Sequence, residues 1–186
     1  MTRVDQEPIS RVEVVESVYS DAERFLKYLC TLEVDQEYIK NLEYNLKKAL
    51  EGLNPNERLA TYCAIHPTTR EVIGVVVGIA KADKSVDGIV LVTNPQYPEL
   101  QAGAALIRHI QNFCDTMSFI AMPHPLKVPD HLDPERKPAE FQQYWERRDK
   151  QLVRFYENLG FKVVGYADDD PGLPILEWKR EPAKEN

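Results

Sequence analysis

The 186-residue chain lacks an excess of basic charge. Lysine and arginine number 23 against 30 aspartates and glutamates, so the formal net charge is -7. A protein that binds DNA or RNA regardless of sequence needs a basic surface to displace counterions. We therefore expect no nucleic-acid partner, and the acidic balance is compatible with a small-molecule enzyme or a protein partner.

Long apolar runs and paired cysteines are also missing. The longest apolar run, Val72 to Ala80, is far shorter than the roughly 20 residues that cross a bilayer. The first ten residues contain no apolar stretch of the secretory-signal type. The cysteines, at positions 30, 63 and 114, are odd in number and form no C-x-x-C pair, which favours core thiols in a reducing compartment. We expect a cytoplasmic protein without a membrane association.

The length is typical of one domain, so we predict a single domain over residues 1–186 with a frayed tail at about 181–186. Hydrophobic periodicity predicts a strand, two helices, three strands, a helix, a strand, a long loop, a helix and two strands. The corresponding ranges are 11–19, 20–29, 36–50, 58–65, 71–80, 88–93, 100–115, 117–122, 123–138, 138–160, 161–167 and 173–180. Short polar connections favour antiparallel pairing of the three middle strands. The order predicts an α/β or α+β domain.

The first motif with chemical content is TNPQYPELQAGAAL, where a strand leads into a helix. The first turn of a helix leaves backbone N–H groups without carbonyl partners, and its dipole favours negative charge. Small residues at Gly103 and Ala105 would let an anion approach that backbone closely. Taken alone, the stretch is equally consistent with an ordinary helix start that uses small residues for packing.

The second motif is FYENLGF, at the end of the last helix. It places Tyr156 four residues before Gly160, which we expect to stop the helix. Helical spacing alone favours Phe155 as a core residue and Tyr156 as a rim residue with a solvated hydroxyl. The alternative is that the phenol acts as an acid in a reaction.

Together with the order of elements, the two motifs resemble those of the GCN5-related N-acetyltransferases, which use acetyl-CoA or another acyl-CoA. The resemblance is best from about residue 58 to residue 166. It implies a mixed, mainly antiparallel central sheet flanked by helices on both faces. The sequence departs from the family pattern at Leu100, which takes the place of an Arg or Gln, and in Pro98 and Glu99, which lengthen the loop.

The resemblance implies a set of site residues. Tyr156 would protonate the departing CoA thiolate, because the reference pKa of a phenol, about 10, lies above that of a thiol, about 8.5. Asp149 would accept a hydrogen bond from the pantetheine chain. The thioester carbonyl would be stabilised by backbone N–H groups at Leu91, Val92 or Thr93. The pyrophosphate cradle would comprise the backbone amides of Leu100, Gln101, Ala102, Gly103, Ala104 and Ala105.

Other positions give weaker indications of function. Asp87 is a weak candidate for a general base and is more typical of a turn residue, so no base is assigned. No histidine or cysteine spacing matches a zinc site, and we expect no metal. The proline-rich segment over 123–138 is expected to be an ordered loop or a mobile lid that helps to shape an acceptor site.

The predicted function is direct transfer of an acetyl group from acetyl-CoA, as cosubstrate, to a primary amine of a small molecule or peptide. The alternative is a non-catalytic module of the same fold that binds a partner or senses acyl-CoA. A homodimer is compatible with either function.

Overall fold

The computed structural model describes residues 12–29, 31–32, 36–121, 132, 135–168 and 173–181. Most of the predicted proline-rich loop and of the predicted tail lies outside these residues. The elements are β1 (Glu13–Ser17), α1 (Tyr19–Leu29), α2 (Gln36–Glu51), β2 (Glu57–Ile65), β3 (Val72–Lys81), β4 (Ser85–Thr93), α3 (Ala102–Gln111), β5 (Thr116–Ile120), α4 (Pro138–Glu157), β6 (Lys162–Tyr166) and β7 (Pro174–Lys179), with a short 3-10 turn at Pro98–Leu100.

The strands form one sheet in the order β1-β2-β3-β4-β5-β7-β6. Every neighbouring pair is antiparallel except β4 and β5, which run parallel. The predicted hairpins of β2, β3 and β4 are confirmed, and so is the mainly antiparallel sheet. A connection between parallel strands needs a crossover, and α3 supplies it between β4 and β5.

Helices cover both faces of the sheet, as predicted. Successive side chains of a strand point to opposite faces, so Val75 and Val77 of β3 pack with α1 and α2, whereas Val76 packs with α3 and α4. Each face has its own buried cluster: Leu26 of α1 belongs to the first and Leu106 of α3 to the second. The second cluster bears directly on the candidate site.

The pairing of β4 with β5 is short. Only Ser85–Asp87 pairs with Thr116–Ser118, and from there on the described part of β5 pairs with β7 alone. Just beyond, β4 carries a bulge, because Asp87 lies opposite Ile79 and Val90 opposite Val77. Gly88 supplies the left-handed backbone for this bulge, with φ of 58°. The second half of β4 therefore diverges from β5 and opens the sheet.

The predicted start of β4 at Gly88 is wrong by three residues. The strand begins at Ser85, directly after Lys84, which adopts a left-handed φ of 62° and closes the β3–β4 turn. Asp87 is accordingly a strand residue and not a turn residue, and its carboxylate pairs with Lys81.

Gly160 ends α4 as predicted. Its φ of 86° is left-handed, its N–H donates to Glu157 O at 2.9 Å, and the N–H of Phe161 donates to Tyr156 O at 3.1 Å. These are the two hydrogen bonds of a Schellman ending, which is usually accompanied by an apolar contact across the cap. The rings of Tyr156 and Phe161 make that contact, with centroids 5.5 Å apart.

The C-terminal end of α3 is stabilised by Arg180, which follows β7. Its Nη2 donates to the carbonyl oxygens of Gln111 and Asn112 at 2.9 Å and of Cys114 at 2.8 Å. A cation here satisfies the last carbonyls of the helix and opposes the negative end of its dipole.

We expect Arg180→Ala to lower the free energy of unfolding by about 1–2 kcal/mol, because it leaves several carbonyls of the last turn without a protein donor. Urea denaturation measures the change. Lys179→Ala is the matched control: Lys179 pairs with Glu177 on an exposed strand surface and should cost no more than about 0.5 kcal/mol. Equal unfolding midpoints for the two variants would contradict this role of Arg180.

Candidate active site

A cavity of about 530 Å³ lies where β4 has separated from β5. Its walls come from three elements: the second half of β4, the start of α3 and the last turns of α4. We call it the main cavity. It brings together residues from both of the motifs identified in the sequence, which lie about 50 positions apart in the chain.

The start of α3 forms one wall. Ala102, Gly103 and Ala104 line the cavity and occupy the first turn of the helix, where amides have no carbonyl one turn back. A side chain at Gly103 would begin 3.5 Å from the side chains of Leu91, Thr93 and Phe155. The small residues therefore keep the amide end of the helix open to the cavity.

Fewer amides are available for a phosphate cradle than the six predicted at residues 100–105. Leu100 belongs to the 3-10 turn, and its N–H donates to Tyr97 O at 3.3 Å. The N–H of Gln101 donates to Pro98 O at 3.4 Å, and that of Ala105 donates to Gln101 O at 3.1 Å. These three amides are used within the chain, so the amides of residues 102–104 are those left for a ligand.

Gln101 causes this difference. Its left-handed backbone, with φ of 50°, separates the 3-10 turn from α3, so the helix starts at Ala102 and not at Leu100. The side of the loop that faces the main cavity includes Tyr97 and Pro98 but not Glu99. The longer loop therefore adds no carboxylate to the cavity wall.

The second half of β4 forms another wall, through Leu91 and Thr93. The N–H of Asn94 donates to Ile73 O of the neighbouring chain segment at 2.8 Å. Hydrogen bonding in an antiparallel pair alternates, so the backbone groups of Val92 also face β3, whereas those of Leu91 and Thr93 face away from it, toward the open side.

This alternation corrects the expectation for Val92. Its amide faces β3, and its side chain is buried in the cluster under α1 and α2, on the opposite face of the sheet. Of the three residues expected to stabilise a carbonyl oxygen, Leu91 and Thr93 are on the cavity side and Val92 is not.

Tyr156 forms part of the third wall and is only 6% exposed. Its ring packs edge to face with Phe119 at 4.8 Å and with Phe155 at 4.9 Å between centroids. Leu152, one turn earlier, lines the cavity beside it. Tyr156 is thus a packed aromatic residue that also borders the cavity, and not a rim residue with a solvated hydroxyl.

Asp149 lies elsewhere. It lines a second cavity, together with Arg154, Val163 and Tyr166. The expected contact with a pantetheine chain in the main cavity is therefore not supported by its position.

Arg108 was not identified from the sequence. It lies on the same face of α3 as Ala104, four residues earlier, and lines the main cavity. Helical spacing from Gln101 and Ala104 would have found it. No aspartate or glutamate is among the described residues that line the main cavity, so its charged wall is basic in a chain whose net charge is -7.

The described residues give little support for a metal site or a reactive thiol. They contain no group of three or more histidines, cysteines or acids placed to hold a metal ion. Cys63 and Cys114 are buried, and burial raises the pKa of both thiols, that of Cys114 to about 11. Neither would be a thiolate near neutral pH. None of the helices described is long and apolar enough to span a bilayer.

Comparison with known proteins was informative only at the level of structure. No protein-family model matches the sequence, and no curated protein sequence does. A GNAT-family N-acetyltransferase from Escherichia coli (YhbS), solved in complex with CoA, matches with a TM-score of 0.54 and 13% identity, over 93% of this chain and 83% of that one.

Two further solved structures agree. A spermidine N-acetyltransferase chimera from Vibrio cholerae SpeG and hSSAT matches with a TM-score of 0.52 and 13% identity, over 91% of this chain and 96% of that one. A domain from Methanocaldococcus jannaschii matches with a TM-score of 0.55 and 11% identity, over 92% and 99%. The chain has the GNAT fold. At these identities the likeness concerns the fold, and it confirms the architecture expected from the sequence.

Two glycines of the GNAT fold should respond oppositely to alanine. At Gly103 a methyl group meets its neighbours at ordinary distances, and alanine favours a helix by up to about 1 kcal/mol. At Gly74 it would lie 3.2 Å from Thr93 Cγ2 and 3.3 Å from Leu106 Cδ1. We expect Gly103→Ala to retain or raise the free energy of unfolding and Gly74→Ala to lower it by about 1–3 kcal/mol, as measured by urea denaturation. If Gly103→Ala lost more free energy of unfolding than Gly74→Ala, the contacts around Gly103 would be tighter than these distances indicate.

Proposed function

We propose that this chain is an acyl-CoA-dependent N-acetyltransferase that transfers an acetyl group directly from acetyl-CoA to a primary amine of a small molecule or peptide. The observation that carries the proposal is the composition of the main cavity. First-turn helix amides, the second half of β4 and Tyr156 border one space, and the described residues that line it include no carboxylate. These are the elements that an acyl-CoA and its reaction require.

The start of α3 suits the pyrophosphate of the donor. The first-turn amides of residues 102–104 and the helix dipole both favour an anion, and Gly103 permits close approach of the backbone. From there the pantetheine chain, which contains two amides, would run along β4. The backbone groups of Thr93, which face away from β3, are suitably directed to pair with it, as with an added strand.

The reaction joins the amine nitrogen to the thioester carbon and breaks the carbon–sulfur bond. The amine gives up a proton to water, and the departing thiolate takes the hydroxyl proton of Tyr156, which solvent then restores. The backbone N–H of Thr93 would stabilise the oxygen of the tetrahedral intermediate. The aromatic packing of Tyr156 supports this role, because a fixed ring holds its hydroxyl in one position.

One observation favours the alternative of a non-catalytic module that senses acyl-CoA. The described residues that line the main cavity include no carboxylate and no imidazole, so they offer no base for the amine. The two functions differ in one outcome: the sensing module binds acetyl-CoA but releases no thiol with any amine.

Acetyl-CoA should raise the melting temperature of the full chain. A ligand at 100 times its Kd stabilises the folded state by about 2.7 kcal/mol, which corresponds to about 5–10 °C for a chain of this size. Differential scanning fluorimetry measures the shift. The thioester of N-acetylcysteamine, which lacks the phosphates, should give a much smaller one. Absence of any shift with millimolar acetyl-CoA would exclude both functions.

Tyr156→Phe should lower the turnover on the order of 100-fold, because it removes the acid and keeps the ring packed against Phe119 and Phe161. Thiol release from acetyl-CoA with a panel of primary amines measures it, and the Kd for CoA should change less than about threefold. Tyr166→Phe, an exposed tyrosine ten positions later, is the control. Unchanged turnover in Tyr156→Phe would remove Tyr156 from the mechanism.

A further inference from the structure

Besides the first-turn amides of α3, the main cavity contains a second group that suits an anion, the side chain of Arg108. The cavity extends along α3 from Ala102 to Arg108, six residues or about 9 Å of helix. The first-turn amides occupy one end of this stretch and the guanidinium-bearing residue the other. A ligand with two anionic groups could engage both ends.

Arg108 is exposed and has no carboxylate partner among the described residues, and the residues of the cavity wall offer none. Arg58 and Arg70, in contrast, pair with Glu16 and Glu13. An arginine without a carboxylate partner, beside a cavity, keeps its planar set of donors for an incoming phosphate.

A hydrogen bond holds the part of α3 that carries Arg108. Gln111, one turn later, donates from Nε2 to Leu159 O at 2.8 Å and so holds this part of α3 against the end of α4. Asn158, the neighbour of Leu159, also lines the main cavity. Arg108 therefore lies beside the junction of the two helices, at the opposite end of α3 from the first-turn amides.

We infer that Arg108 binds a second phosphate of the donor, the 3′-phosphate monoester of CoA, and makes the site selective for 3′-phosphorylated donors. This inference rests on the proposed function. CoA carries its diphosphate on the 5′ carbon and a phosphate monoester on the 3′ carbon of one ribose. With the diphosphate at the first-turn amides, the monoester is the remaining anionic group of CoA for Arg108 to bind. The same residue compensates for Leu100, which brings no charge to the loop.

Dephospho-CoA tests the inference, because it differs from CoA only in lacking the 3′-phosphate. Isothermal titration of the full chain should show that CoA binds about 10- to 100-fold more tightly than dephospho-CoA. In Arg108→Ala this ratio should fall to nearly one, with the Kd for dephospho-CoA unchanged. Arg108→Lys should retain part of the ratio, because lysine keeps the charge but not the planar donors.

Arg147→Ala is the matched control, since Arg147 is an exposed arginine of α4 that lines neither of the two cavities. It should leave the ratio as in the unsubstituted chain. An unchanged ratio in Arg108→Ala, or an equal loss of affinity for both compounds, overturns the assignment and leaves the proposed function in place. If the unsubstituted chain binds neither compound, the proposed function fails and the assignment fails with it.

Discussion

The loss of pairing between β4 and β5 is the constraint on which the rest of the structure depends. A strand inside a sheet normally forms hydrogen bonds with a neighbouring strand along both of its edges. Here the bulge at Gly88 turns β4 away from β5 after three pairs, and the backbone groups of Thr93 are directed to the main cavity. The chain then leaves the strand at Asn94, whose N–H is fixed on Ile73 O, and starts α3 at the same opening. One backbone irregularity thus places strand groups and first-turn amides around a common space.

The charge distribution follows from the same geometry. The chain is acidic, but carboxylates close to a bound polyanion are the ones that would repel it, since charges beyond about 8–10 Å are largely screened at physiological salt. The 3-10 turn matters for this reason. It absorbs the two extra loop residues while Glu99 stays out of the cavity wall, and α3 then presents Arg108 on the cavity side. A loop that looked unfavourable for phosphate in the sequence is therefore compatible with it in the structure.

Hydrophobic periodicity was sufficient to predict the strands and the helices, because each element buries a regular face, whereas the sheet covered on both faces was implied by the resemblance to the N-acetyltransferases. Periodicity failed where the backbone is left-handed at residues that rarely adopt that conformation. Lys84 and Gln101 both have positive φ, and neither residue type signals it as glycine does. The start of β4 and the start of α3 were misplaced for this reason. The prediction for Asp149 failed for a different reason: it lies on the same face of α4 as Tyr156 but two turns earlier, where the helix borders the second cavity.

The two interpretations of Tyr156, packing residue or acid, are not alternatives in this structure. The aromatic rings around it and the Schellman ending of α4 fix its backbone and its ring together. An acid gains from such a setting, because catalysis by a positioned group depends on holding it within hydrogen-bonding reach of the reacting atom. The residues that pack Tyr156 would then support catalysis without touching the substrate. By this argument the sequence FYENLGF combines a helix stop, a core cluster and a candidate acid in seven residues, and the short motif is informative because all three depend on the same turn.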